Sequence, residues 1–444
     1  MKEISITELK QKLDESLEEN VIIKNIPLEF SQDLLDLSAD DFPDDCDYRK
    51  DLRHQCCITI DDEDTKDIDD ALFLEEIDKG YRLWVHIADV SSFLRYDDEL
   101  YDEAESRATS IYLPDRVIRM LPPLFSEDLC SLKAGEDRKA MSFCIDLDEN
   151  SNPFSLKVFR SLIHPFLKCS YPEVEQLIEG NEDPKICDKY DQSTMEMIKK
   201  LDRIAEKLAT GRNKELSTAR KKIKVTDSQL IIESKQQFKA ERLVEEFMVL
   251  TNKEVSRFMY EKKLPAIYRI QDDSDAFASY SCKNLGHKDL NISARQGGYV
   301  YVTSPIRRFS DCVNQMILTS YLDGDPMEEI HDEFHEEYLE SVSFFLTKKS
   351  IRGRSLSGIQ NRICEGFYLK IHSENEMLKG YLYERFFKEG QAISKFQVDL
   401  NDVRFILTGE LSAVPMHWYG LKLKNCPDGS VEVASCIPIK EHGE

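Results

Sequence analysis

Two short apolar runs, Cys57-Ile58-Thr59-Ile60 and Ala71-Leu72-Phe73-Leu74, enclose positions 61–70, where seven of ten residues are carboxylates. Such runs, bounded by polar stretches, read as strands. Asp78-Lys79-Gly80 marks a turn into a further strand over 81–90. Apolar spacing at Leu100, Ala104 and Ala108 predicts a helix over 98–109. A hairpin is expected over 141–163, turning at Asp148-Glu149-Asn150-Ser151-Asn152. Helical patterning returns over 191–210 and 242–263, followed by a strand over 265–269. Pro305 suits the first turn of another helix, whose apolar face is Val313, Met316, Ile317 and Tyr321. Arg307 then sits at a helix start, where the dipole favours anions over cations; an arginine there makes sense if a phosphate is received. The first 45 residues read as a short helix, a strand over 21–26 and a linker rich in Asp and Pro. From about residue 366 the pattern changes to short strands with turns, for example over 380–386, 403–407 and 430–436.

Bulk composition narrows the class. At 444 residues the chain is long enough for a large body with one or two appendages. Hydrophobic residues at 41% suffice for a core, and no apolar run approaches the ~18 residues of a membrane span. No membrane partner is expected. The acidic, helical N-terminus lacks the form of a signal or transit peptide. Twelve cysteines without a CxxC pair point to a reducing, cytoplasmic setting rather than to disulfides or zinc. A formal net charge of −25 argues against coating of nucleic acid. It does not exclude an enzyme that draws one strand into a locally basic channel. Basic residues do cluster, over 212–224, at Arg307-Arg308 and at Lys348, Lys349, Arg352 and Arg354.

The acidic stretch carries the chemistry. Like charges held against a protein body repel by ~4 kcal/mol per close pair at an effective dielectric of 20. Hard divalent cations among the carboxylates relieve that cost. A solvated acidic loop would not need its apolar brackets. A calcium helix-loop-helix fails, because its sixth position would be Lys66 rather than Gly and its twelfth Leu72 rather than Glu. Asp61-x-Glu63-x-Thr65 also resembles the first motif of Asp/Glu-type exonucleases, but no ordered remainder of that motif set follows. His86, inside an apolar strand, reads as structural. His331 and His335 lie four apart but lack HExxH or a third ligand, so they read as a solvated helix face.

Asp61, Asp67, Asp69 and Asp70, in the pattern T-I-D-x5-D-x-D-D-A, resemble the signature of the RNase II/RNase R (RNB) family of exoribonucleases. Further blocks follow in the family's order over roughly residues 46–325: 83–91, Tyr112-Leu113-Pro114, 121–132, Ser170-Tyr171-Pro172, 242–248, 265–269 and Ser304-Pro305-Ile306-Arg307-Arg308. The resemblance implies an α+β fold in three parts: a short N-terminal extension (1–45), an RNB catalytic domain of mixed and antiparallel sheets with packed helices (46–365), and a small OB-like β domain (366–444). It also implies a hydrolytic 3′-to-5′ exoribonuclease that degrades single-stranded RNA to nucleoside 5′-monophosphates. Two Mg²⁺ ions are expected, with Mn²⁺ as the alternative. Asp61, Asp67 and Asp70 are then the first-choice ligands, Asp69 completes or orients the metal-water shell, and Arg307 stands beside the scissile phosphate. Tyr112 would stack on the 3′-terminal base. Tyr171, Glu245 and Arg308 would contact RNA. A monomer is expected, with no DNA substrate. Two departures appear: Glu215-Leu216-Ser217-Thr218-Ala219-Arg220 stands where relatives carry a second stacking ring, and Ser355-Leu356-Ser357-Gly358 shows no match for an exit glutamate. The alternative is a non-catalytic RNA-binding protein of the same fold, which the complete acid set speaks against.

Overall fold

A seven-stranded sheet forms the centre of the chain. It is seen in a computed structural model that describes residues 6–439 apart from 43–44, 97, 181–187, 212–219, 236, 273–274, 276, 373–376, 389, 402, 412 and 427–429. Across the sheet the strands run Lys50–Asp51, Pro153–Ile163, Arg138–Asp148, Gly80–Ala88, Asp70–Ile77, Ile58–Asp61 and Leu167–Ser170. The five in the middle are antiparallel neighbours; each outermost strand pairs in parallel. The expected hairpin is therefore present. Buried on both faces, the Gly80–Ala88 strand reads Leu-Trp-Val-His-Ile-Ala without alternation.

Helices Tyr171–Glu179, Gln192–Gly211, Lys239–Glu261 and Phe309–Asp323 pack on this sheet and share its core, from Ile58 and Val85 to Phe247 and Ile317. A second core joins a C-terminal sheet to the rest. Its strands, Leu378–Lys388, Gln391–Leu400, Val403–Gly409, His417–Asn425 and Val431–Pro438, lie antiparallel in the spatial order third, second, first, fourth, fifth. Val403, Phe405 and Leu407 alternate inward against Phe367 of the helix Glu336–His372. The chain is thus α+β, as the resemblance implied. Among the described residues no helix is long and apolar enough to cross a membrane.

Four local expectations are corrected. The segment 21–26 continues a helix, Ile6–Lys24, instead of forming a strand. Leu9, Leu13 and Leu17 recur every four residues and are buried against the long helix and the C-terminal sheet, so packing overrides the β-branched run at its end. Pro305 lies in a turn before the helix, which starts only at Phe309 with Arg308 as its N-cap. Arg307 therefore precedes the helix rather than opening it. His331 ends up on the short helix Met327–Glu333 and His335 just beyond it, where its Nδ1 accepts from Tyr338 N (3.1 Å). Their four-residue spacing is not a shared helical face. The strand expected over 265–269 is shorter and later, Tyr268–Ile270.

His86 confirms the structural reading. It is fully buried, with Nδ1 2.7 Å from Ser142 Oγ, and burial pushes its pKa down to about 3. The unfolded chain takes up that proton near pH 6.5, so this contribution to stability is complete above 6.5 and is lost as pH falls toward 3. Urea melts between pH 7.5 and 5 should show wild-type stability falling by up to about 1.4 kcal/mol per pH unit more steeply than that of His86→Gln. Parallel slopes would refute the assignment.

Candidate active site

Asp61 ends one strand and Asp70 begins its antiparallel neighbour, so both carboxylates lie at one end of the central sheet. The loop between them is tied down through its backbone. Ser131 Oγ donates to Lys66 O (2.6 Å) and accepts from Ile68 N (3.1 Å), and Leu132 N donates to Ile68 O (3.0 Å). Lys168 Nζ donates to the carbonyls of Glu63 (3.0 Å) and Thr65 (2.6 Å). Two further acids have lysine partners: Lys222 lies 3.6 Å from Asp62 at the cleft wall, and Lys224 bonds Asp64. Both lysines come from the hairpin Arg220–Val225 and Leu230–Lys235. Asp62 and Asp64 thus have lysine partners, while Asp61, Asp67, Asp69 and Asp70 line the cleft.

Asp69 joins this loop to the distant Ser304–Arg308 segment. Its Oδ1 accepts from Ile306 N (3.0 Å), its Oδ2 from Arg307 Nε (3.1 Å), and its own carbonyl accepts from Ala88 N (2.9 Å). Burial raises the Asp69 carboxyl to about 6, with Arg307 and the Ile306 amide opposing. Arg307 also donates to Ser304 Oγ (2.8 Å), yet its side chain keeps 41% exposure, so its guanidinium is held from behind and open to the cleft. Arg308 is different. It forks onto buried Asp311 at 2.9 and 2.8 Å and lies 3.9 Å from the Tyr301 ring.

Asp61 and Asp70 are the electrostatic exception. Burial pushes both carboxyls well above the usual range, helped by the Asp70 and Asp69 charges at Asp61 and by the Asp69 charge at Asp70. One buried oxygen of each, Oδ2, has no hydrogen-bond partner. Two buried, mutually repelling carboxylates with open oxygens suit a hard divalent cation by donor chemistry. The other two aspartates are engaged elsewhere: Asp69 with Arg307, and Asp67 with the Tyr112 hydroxyl, which donates to it (2.9 Å). Among the described residues no three Asp, Glu, His or Cys side chains converge into a ready cation cage.

A cleft of about 790 Å³ collects every site residue named from the sequence: Asp61, Asp67, Asp69, Asp70, Tyr112, Tyr171, Glu245, Arg307 and Arg308. Tyr112 presents a half-exposed ring at its edge. Tyr171 is the first residue of the helix Tyr171–Glu179, capped by Ser170, and burial followed by the Asp61 and Asp70 charges raises its phenol. Glu245 lies on the helix Lys239–Glu261 and accepts from Gln237 Nε2 (3.1 Å). The segment expected to lack a second ring, 215–219, falls outside the described residues.

The RNB domain matches residues 49–279 and 273–324 of this chain. The chain belongs to the RNB domain family. Ribonuclease R of Mycoplasmopsis pulmonis is 31% identical over 402 residues, covering 77% of this chain and 54% of that protein. Ribonuclease R of Thermotoga maritima is 30% identical over 361 residues, covering 68% and 49%. The chain thus spans about half the length of these curated relatives. Among solved structures, Mycoplasma genitalium RNase R in complex with double-stranded RNA shares the fold at a TM-score of 0.80 and 19% identity, over 96% of this chain and 83% of that one. Yeast Ssd1, a pseudonuclease, shares it at 0.64 and 15%, over 93% and 57%.

Several supports of the RNB cleft escaped the sequence reading. Ser131 and Lys168 act through loop carbonyls, and no motif marks such contacts. Asn252 holds the far wall: its Nδ2 donates to Tyr299 Oη (3.2 Å) and Thr303 Oγ1 (3.1 Å), and its Oδ1 accepts from Val302 N (2.9 Å). Here a signal existed, because Glu241, Glu245, Met248 and Asn252 recur at helical spacing on the face that lines the cleft. The two RNB arginines should separate in a stability measurement. Arg308→Ala strands buried Asp311 and should cost about 3–5 kcal/mol in denaturant unfolding. Arg307→Ala, which leaves Asp69 its Ile306 amide, should cost less than about 1.5 kcal/mol. Equal losses would contradict the distinction.

Proposed function

We propose that this chain is a hydrolytic 3′-to-5′ exoribonuclease acting on single-stranded RNA and releasing nucleoside 5′-monophosphates. The observation carrying this reading is the buried Asp61–Asp70 pair, with its open oxygens, in the same cleft as an Arg307 guanidinium anchored by Asp69. The names of the relatives, Ribonuclease R, and their shared family support it. Asp61 and Asp70 would hold divalent cation, with Asp67 completing the donor set once released from Tyr112. Two magnesium ions, or manganese in their place, supply water activation and leaving-group stabilisation when bound.

The chain's own groups account for the rest. In the hydrolysis a water oxygen bonds to phosphorus as the P–O3′ bond breaks. The shortened strand keeps a 3′-hydroxyl, and the departing nucleotide carries the 5′-phosphate. Arg307, fixed through Nε and Nη2, presents its remaining donors to the charge that builds on the phosphoryl oxygens. Tyr112 offers a ring for base stacking, worth ~1–3 kcal/mol per base regardless of sequence. Residues 46–365 would form the catalytic unit and 366–444 the small β domain, joined by the helix Glu336–His372, which crosses that boundary.

Labelled oligo(A) with Mg²⁺ should yield mononucleotides, EDTA should stop the reaction, and a DNA of equal length should resist it. Asp69→Asn removes the charge that aims Arg307, so turnover should fall at least about a hundredfold while RNA binding stays nearly intact. Wild-type rates in that variant would defeat the assignment. RNA bound by the wild-type chain with no mononucleotide released would select the non-catalytic RNA-binding alternative.

A further inference from the structure

Behind the cleft lies a second, smaller chamber of about 170 Å³, lined by Ala108, Thr109, Arg269, Tyr280, Tyr301, Arg308, Leu346 and Ser350. Tyr301 and Arg308 form the wall shared with the main cleft. Arg269 is only 8% exposed, and its buried Nε and Nη1 have no hydrogen-bond partner. Its guanidinium lies 4.5 Å from the Tyr280 ring and 5.9 Å from that of Tyr301. Among the described residues no carboxylate lines the chamber, and Asp311 already receives the fork of Arg308. Burial, and then the Arg269 charge, holds the adjacent Arg354 guanidinium below its ordinary value, a sign that positive charge accumulates here. A guanidinium does not deprotonate to escape burial. Ring faces return only about 0.5–2 kcal/mol, well short of the several kcal/mol that burying an ion costs.

We propose that this chamber is a phosphate-binding subsite, in which the buried guanidinium of Arg269 donates to a terminal phosphate group. Arginine suits phosphate because its charge is permanent and its donors are rigidly held. The chamber lies below the roughly 300–1,000 Å³ of sites for whole drug-sized ligands, so it suits an oxyanion rather than a complete nucleotide. A phosphodiester would need room for chain on both sides, whereas a phosphomonoester needs one opening. The source of that phosphomonoester, a released nucleoside 5′-monophosphate, rests on the exoribonuclease reading. The binding itself does not.

The experiment measures binding of inorganic phosphate and of AMP to the full chain by calorimetry in EDTA at fixed ionic strength. Binding of an RNA oligonucleotide is measured alongside. Arg269→Gln removes the guanidinium, and Ser350→Asp leaves Arg269 in place but sets a carboxylate in the chamber. In each variant, phosphate and AMP should bind about tenfold or more weakly, equivalent to about 1.4 kcal/mol, with RNA affinity unchanged. If RNA affinity falls while AMP binding does not, a backbone phosphate is the occupant and the terminal-phosphate assignment is overturned. If neither variant alters phosphate or AMP binding, the subsite itself is overturned. No turnover enters these readouts, so loss of the nuclease reading and loss of this one are told apart. Ser350→Asp carries the test should Arg269→Gln fail to fold.

Discussion

The Asp69 carboxylate joins two segments 237 residues apart in the chain, and the rest of the site depends on that junction. One oxygen takes the amide of Ile306 and the other the guanidinium of Arg307. A charge-assisted contact of this kind is strong because donor and acceptor are both ionised and the acceptor is buried. It sets the distance between the acidic loop and the arginine that faces it. Without it, four aspartates at a sheet edge would be a cost without a use.

Burial then does two things at once. It pushes Asp61 and Asp70 toward their neutral forms, and it leaves each with an oxygen that nothing in the protein satisfies. The same fold disposes of the surplus negative charge at its rim, through Lys222 and Lys224 on Asp62 and Asp64. The acidic loop is therefore sorted rather than merely crowded. Asp61 and Asp70 each keep an oxygen without a partner while Asp62 and Asp64 have lysines, a charge distribution that suits a cation site. Arg269 mirrors this in the opposite sign: a buried cation whose protein partners stop at two tyrosine rings.

Much of the fold was legible because it rests on local pattern. Strands around the acidic loop, the hairpin near residue 148 and the helices Gln192–Gly211 and Lys239–Glu261 all came from periodicity that tertiary packing then used. The errors have a common origin. Val21-Ile22-Ile23 favours a strand locally, but three leucines on the preceding turns bind that segment into a helix against the second core. Pro305 permits a helix start, yet the backbone of Ser304–Arg308 is spent on Asp69, Asp311 and the 108–110 segment, and the helix begins only after it.

What the amino-acid order determined by itself was which residues matter: nine candidate side chains, separated by as many as 247 positions from Asp61 to Arg308, reach one cleft. Spacing within a motif encodes chemistry that acts at short range along the chain, so it can be read directly. What only the tertiary structure decided was how these groups differ from one another. Arg307 and Arg308 are neighbours in sequence, but one opens to the cleft and the other is locked onto Asp311. Desolvation and pairing are properties of the surroundings in space, contributed by Ser131, Lys168, Asn252 and Tyr301 from separate elements, and no local pattern carries them.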